Sequence, residues 1–91
     1  MKESQPIDDM LSLGRLIREA RKDQGLTQQQ LADGAGVGVR FLSELERGKE
    51  TAEVGLVLQV IHSVGLELLV ERRGARSAAF FFGPDRVGGD S

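Results

Sequence analysis

The sequence predicts a mostly α fold: a bundle of four to five short helices, followed by one C-terminal strand that pairs across a dimer. Three observations carry this expectation. Apolar residues recur at helical spacing from Met10 onward. Glycines at 25, 34, 48 and 65 cut that stretch into short segments. Leu66, Leu68 and Val70 alternate with Glu67 and Glu71, the period of a half-buried strand.

The elements follow in order. Residues 1–9 read as a flexible lead, polar and mixed in charge, unlike a secretory signal. Met10, Leu13, Leu16, Ile17 and Ala20 form one stripe of a first helix, about Asp9 to Gln24, and Gly25 stops it. Thr27 and Gln30 have the spacing of a capping box, so a second helix starts at Thr27. Gly34 is the expected end of that helix, ahead of a tight turn over 34–38. A third helix, Gly38 to Arg47, turns Leu42 and Leu45 inward behind Val37, and Gly48 stops it. Thr51 is the expected cap of a fourth helix, about Ala52 to Val64.

That fourth helix is apolar on more than one face, with Val54, Leu56, Val57, Leu58, Val60, Ile61 and Val64. A helix apolar nearly all round is buried on more than one side. In so short a chain the second side is expected to be another subunit. The 66–72 segment has no sheet partner of its own, so its backbone groups would pair with a second copy about a two-fold axis. A short C-terminal helix is the other reading of these residues. Leu56, Val60, Leu66, Leu68 and Val70 are the expected dimer contacts. The folded domain spans 10–73, and 74–91 form a tail carrying Phe80, Phe81 and Phe82. Such a cluster either folds back on the dimer or docks on a partner.

Composition bounds the function. The chain has 91 residues and a net charge of −2. A domain of this size buries only roughly 60% of its unfolded surface, which makes dimerisation a natural supplement. There is no cysteine, and the lone His62 makes no metal site. No cofactor is expected. No apolar run approaches the ~20 residues of a membrane helix, so the expected location is the cytoplasm and no membrane partner is expected. The acidic balance does not announce a nucleic-acid binder. The arrangement says more: Arg15, Arg18, Arg21, Lys22, Arg40, Arg47 and Lys49 all fall between 15 and 49. Charge alone leaves an ordinary solvated surface equally open.

The motif decides. Leu26-Thr27-Gln28-Gln29-Gln30-Leu31-Ala32, then Gly36-Val37, then Leu42-Ser43-Glu44-Leu45-Glu46-Arg47-Gly48 place two short helices around a glycine turn. This pattern closely resembles the phage-repressor-like (Cro/C1, XRE) helix-turn-helix family over about Leu13 to Val64. The resemblance implies a lambda-repressor-like bundle that binds double-stranded operator DNA. It places the base readers at Val39, Arg40, Ser43 and Glu44 on the third helix, which would enter the major groove. Arg40 would grip a guanine edge or clamp a phosphate. Val39 would touch a thymine methyl, and Glu44 would accept from a cytosine amine or repel a wrong register. Phe41 would pack on the second helix or against sugars. The resemblance makes Gln28 a phosphate contact at the positive end of the second helix, with a solvated capping glutamine as the other reading. Arg47 and Lys49 become phosphate contacts, and Arg21 with Glu46 a structural ion pair.

The run from Glu53 to Leu68 is most similar to HipB-type antitoxins. That resemblance implies repression of the protein's own operon and binding of a HipA-like kinase toxin. A stand-alone XRE-family repressor or restriction-modification controller, without a toxin partner, is the alternative. A third class is an adaptor that has lost DNA binding. Gly34, Gly36 and Gly38 superficially suggest a dinucleotide loop, but they follow a helix rather than a strand. Nothing in the sequence resembles an enzyme.

Overall fold

The computed structural model describes residues 4–72. Four helices account for its regular structure: α1 (Met10–Asp23), α2 (Gln28–Ala35), α3 (Val39–Glu46) and α4 (Val54–Ser63). Asp9 caps α1, its carboxylate accepting from the Ser12 backbone N–H at 2.9 Å and from the Ser12 hydroxyl at 2.8 Å. The capping box at α2 is complete. The Gln30 N–H donates to the Thr27 hydroxyl at 3.0 Å, and the Thr27 N–H donates back to the Gln30 side chain at 2.9 Å. Two of the orphan donors at that helix end are thereby satisfied.

Two helix ends differ from the sequence expectation. Gly34 lies within α2, and the stop falls at Gly36, with φ +74°. Ala35 is buried in the core, which carries the helix one residue past Gly34. The Val37 and Gly36 N–H groups then close on the Ala32 and Asp33 carbonyls, the paired bonds of a left-handed helix end. At α4, Thr51 lies in the preceding turn and Glu53 is the N-cap residue. Ala52, in that connection, packs against the core.

α1 and α2 both pack on α3, and α4 closes over α2. Ile17, Leu42, Leu45, Val60, Ile61 and Val64 are the largest enclosed side chains. Phe41 is half-buried and packs against this core. The Gln24 amide donates to the Val64 carbonyl at 2.7 Å and ties the end of α1 to the end of α4. Gly14 lets α1 and the end of α3 approach closely. A methyl group there would stand 2.7 Å from the Glu46 carbonyl oxygen and closer still to that of Leu45. Only a residue without a Cβ lets α1 run over the C-terminal end of α3 at this distance.

Among the described residues no strand is assigned, and 66–72 have no sheet partner there. Leu66 is half-buried, while Leu68 is 45%, Leu69 59% and Val70 90% exposed. Val60 corrects an expectation. It is fully enclosed by this chain's own core, because α4 turns it inward beside Ile61, and so it has no surface to offer a second copy. Leu56 remains half-buried at the surface, and His62 is exposed. Phe80, Phe81 and Phe82, with the rest of the 74–91 tail, lie outside the described residues. No helix among the described residues is long and apolar enough to cross a membrane.

Candidate nucleic-acid interface

The site is organised by a buried ionic network. The Arg21 guanidinium grips Glu46 with both prongs: Nε donates to Oε2 at 2.7 Å and Nη2 to Oε1 at 2.9 Å. Its Nη1 donates to the Leu26 carbonyl at 2.8 Å. Oε1 of Glu46 also accepts from the Gln28 amide at 3.0 Å. The two side chains are only 8% and 2% exposed. No buried side-chain polar atom among the described residues lacks a partner. Burial pushes the Glu46 carboxyl up, but hydrogen bonds from Arg21 and Gln28 outweigh it and hold the group below its ordinary value. The bond to Glu46 in turn raises Arg21. One charge from α1, one from α3 and one amide from α2 thus fix the three helices at their common junction.

With α3 held from beneath, its opposite side is presented outward. Val39 is 38% exposed and the Arg40 side chain 91%. Ser43 is half-buried and Arg47 exposed. Glu44, 30% exposed, lies between two cations: Lys49 Nζ at 3.1 Å and Arg40 Nε at 3.6 Å. The hydrogen bond and charge of Lys49 hold the Glu44 carboxyl below its usual range, with a smaller contribution from Arg40. The residues expected to read bases therefore share one surface. Glu44, Arg40 and Lys49 are already engaged with one another on it, and Gln28 is engaged with Glu46.

Beside this surface lies a cleft of about 360 Å³, lined by Leu11, Arg15, Arg18, Gln28, Ser43, Glu46 and Arg47. From the sequence, Arg15 and Arg18 stand out only as members of the basic group over 15–49, and Leu11 not at all. The signal was present, since these residues stand at i, i+4 and i+7 and so share one face of α1. No group of acidic or histidine side chains among the described residues is suited to a metal ion.

The match to known proteins follows the same geometry. Residues 17–66, from the middle of α1 through α4, match the helix-turn-helix family model. This chain belongs to the helix-turn-helix family. The uncharacterized HTH-type transcriptional regulator y4mF of Sinorhizobium fredii is 47% identical over 64 residues, covering 70% of this chain and 84% of that protein. The transcriptional regulator ClgR of Mycobacterium tuberculosis is 34% identical over 58 residues, covering 64% of this chain and 52% of that protein. Among solved structures, a chain of the "HipB-O4 20mer complex" superposes with a TM-score of 0.70 at 20% identity, over 78% of this chain and 100% of its own. A chain of the "HipA-HipB-O2-O3 complex" superposes with a TM-score of 0.71 at 20% identity, over 78% of this chain and 100% of its own. The fold is thus that of HipB, and the sequence relatives are transcriptional regulators.

Proposed function

We infer that this chain is a dimeric, sequence-specific repressor that binds operator DNA through α3, and that it acts as the HipB-like antitoxin of an operon encoding a HipA-like kinase toxin. The observation that carries the DNA reading is the outward face of α3, with Val39, Arg40, Ser43 and Glu44 aligned beside Arg47 and Lys49. Its pose is fixed by the Arg21–Glu46 pair. The α3 side chains read base edges in the major groove, where all four base pairs differ. Gln28, through its second amide N–H, with Arg47 and Lys49, holds the phosphates.

Two-fold pairing of the chain sets two α3 helices about 34–36 Å apart, in successive major grooves. Leu56, Leu66, Leu68 and Val70 form the contact between copies. Exposure of Leu68, Leu69 and Val70 supports this reading, since contiguous apolar surface of this kind marks an interaction site. Repression is steric. The Phe80–Phe82 tail is a candidate anchor for the toxin.

The antitoxin role is supported by the fold shared with HipB, including the chain from the "HipA-HipB-O2-O3 complex". The stand-alone repressor is favoured instead by the sequence relatives, which are described only as transcriptional regulators. Purification from the native host at low salt separates the two. Co-purifying kinase-like protein supports the antitoxin, and operator DNA without a protein partner supports the repressor. Failure to shift any fragment of the DNA upstream of its own gene, at low salt, refutes both. Sedimentation equilibrium of Leu68→Asp tests the dimer: a weaker dimer is expected, and wild-type association would exclude the 66–70 contact.

A further inference from the structure

Gln28, Ser43 and Arg47 of the cleft beside α3 enter the reading above, but Leu11, Arg15 and Arg18 on its α1 wall do not. Three arginines line the cleft: Arg15 and Arg18 from α1, and Arg47 from the end of α3. None of the three has an ion-pair partner within 4.0 Å among the described residues. The sole acidic residue in the lining is Glu46, and its carboxylate is already occupied by Arg21 and Gln28. A negative charge entering the cleft would therefore meet unneutralised cations and an acid whose charge is compensated.

We propose that this cleft seats a backbone phosphodiester of duplex DNA, with Arg15 and Arg18 of α1 as its clamps. The proposal rests on the DNA-binding reading and extends it to a helix outside the reading pair. Ser43 belongs both to the cleft lining and to the outward face of α3, so a strand read by α3 passes directly into it. Leu11 provides an apolar wall next to the cations, suited to a deoxyribose flanked by its phosphate. The floor is pre-formed, because the Arg21–Glu46–Gln28 network fixes it in the free protein. Arg15 and Arg18 are exposed, so their removal leaves the core untouched.

The test uses two duplexes of about 20 base pairs, roughly two helical turns. One comes from upstream of the protein's own gene and one is scrambled. Affinity is measured across a salt series for the full chain and for Arg15→Gln, Arg18→Gln and Lys22→Gln. Lys22 is exposed on α1 but lies outside the cleft. Each lost phosphate contact flattens the log–log salt dependence by about 0.9. In a dimer each substitution removes one contact from both copies, so Arg15→Gln and Arg18→Gln are each expected to flatten it by up to about 1.8 and to weaken both duplexes by the same factor. Lys22→Gln is expected to keep the wild-type slope. Wild-type slopes for Arg15→Gln and Arg18→Gln, with wild-type DNA binding intact, would overturn the seat alone. An equal flattening in Lys22→Gln would reduce the effect to net charge and also overturn it. If the unmodified chain binds neither duplex, the DNA reading fails and the seat falls with it.

Discussion

Replacing Glu46 with alanine tests the junction on which the whole site rests. The substitution leaves Arg21 buried, with the Leu26 carbonyl as its one remaining partner, and releases Gln28. Breaking a buried pair by removing one member typically costs about 3–5 kcal/mol. A folded unit of about 70 residues has roughly 4–10 kcal/mol in total, at about 0.05–0.15 kcal/mol per residue. Glu46→Ala is therefore expected to remove a large share of the stability, or all of it. Glu46→Gln keeps the shape and one carbonyl acceptor but loses the charge. Its cost is that of a hydrogen bond to a charged group, about 1.5–3 kcal/mol. Urea denaturation at one fixed protein concentration separates the two, because association makes the midpoint concentration-dependent. Both midpoints should fall, Glu46→Ala further. A Glu46→Ala protein that melts like the wild type but chooses operators less strictly would refute the structural role and make Glu46 a DNA contact.

Gly14→Ala sets two effects against each other. Alanine gains about 1 kcal/mol in helix propensity, but its methyl overlaps the Leu45 and Glu46 carbonyls, which are backbone and cannot rotate away. Overpacking of this kind costs about 1–3 kcal/mol or more, so net destabilisation is expected in thermal melts; a stabilised variant would show that α1 shifts freely. Acid should also destabilise the fold. Because the folded Glu46 carboxyl titrates below its ordinary 4.5, its contribution is complete above that value and disappears as pH falls through the folded value. A melting-temperature profile against pH should show an acid limb that Glu46→Gln flattens, and an unchanged limb would assign it to other carboxylates. In binding to an operator library, Arg40→Ala should relax choice at one base position, by about 1–3 kcal/mol. Gln28→Ala should weaken all sequences alike, and identical profiles for the two variants would contradict the division of roles.

What could be read from the sequence follows from which interactions are local. The Thr27–Gln30 box is a three-residue pattern with one geometric solution, and it stands as expected. The end of α2 and the start of α4 differ from the sequence expectation because neither is set by a local pattern alone. Ala35 is buried in the core at the end of α2, and Ala52 packs against the core just before α4. Periodicity marks the apolar face that carries Val60 without saying which element covers it; here the chain's own core does. Arg21 and Glu46 are 25 residues apart, and only family resemblance pointed to their pairing. The cleft remained hidden for a different reason. Leu11, Arg15 and Arg18 share a helix face, but its meaning depends on Arg47 and Ser43 arriving beside it from α3.

The three-helix ionic junction has a consequence for how such a protein diversifies. Orientation of α3 is determined by Glu46 on its inner side, through bonds to α1 and α2. Val39, Arg40 and Ser43 on its outer side take no part in that support. If α3 reads DNA as proposed, selection can exchange these outward residues with little penalty to folding, and a duplicated gene can acquire a new operator in few substitutions. On the proposed reading, stability and target choice lie on opposite sides of one eight-residue helix, and the outer side can change while the inner side stays fixed.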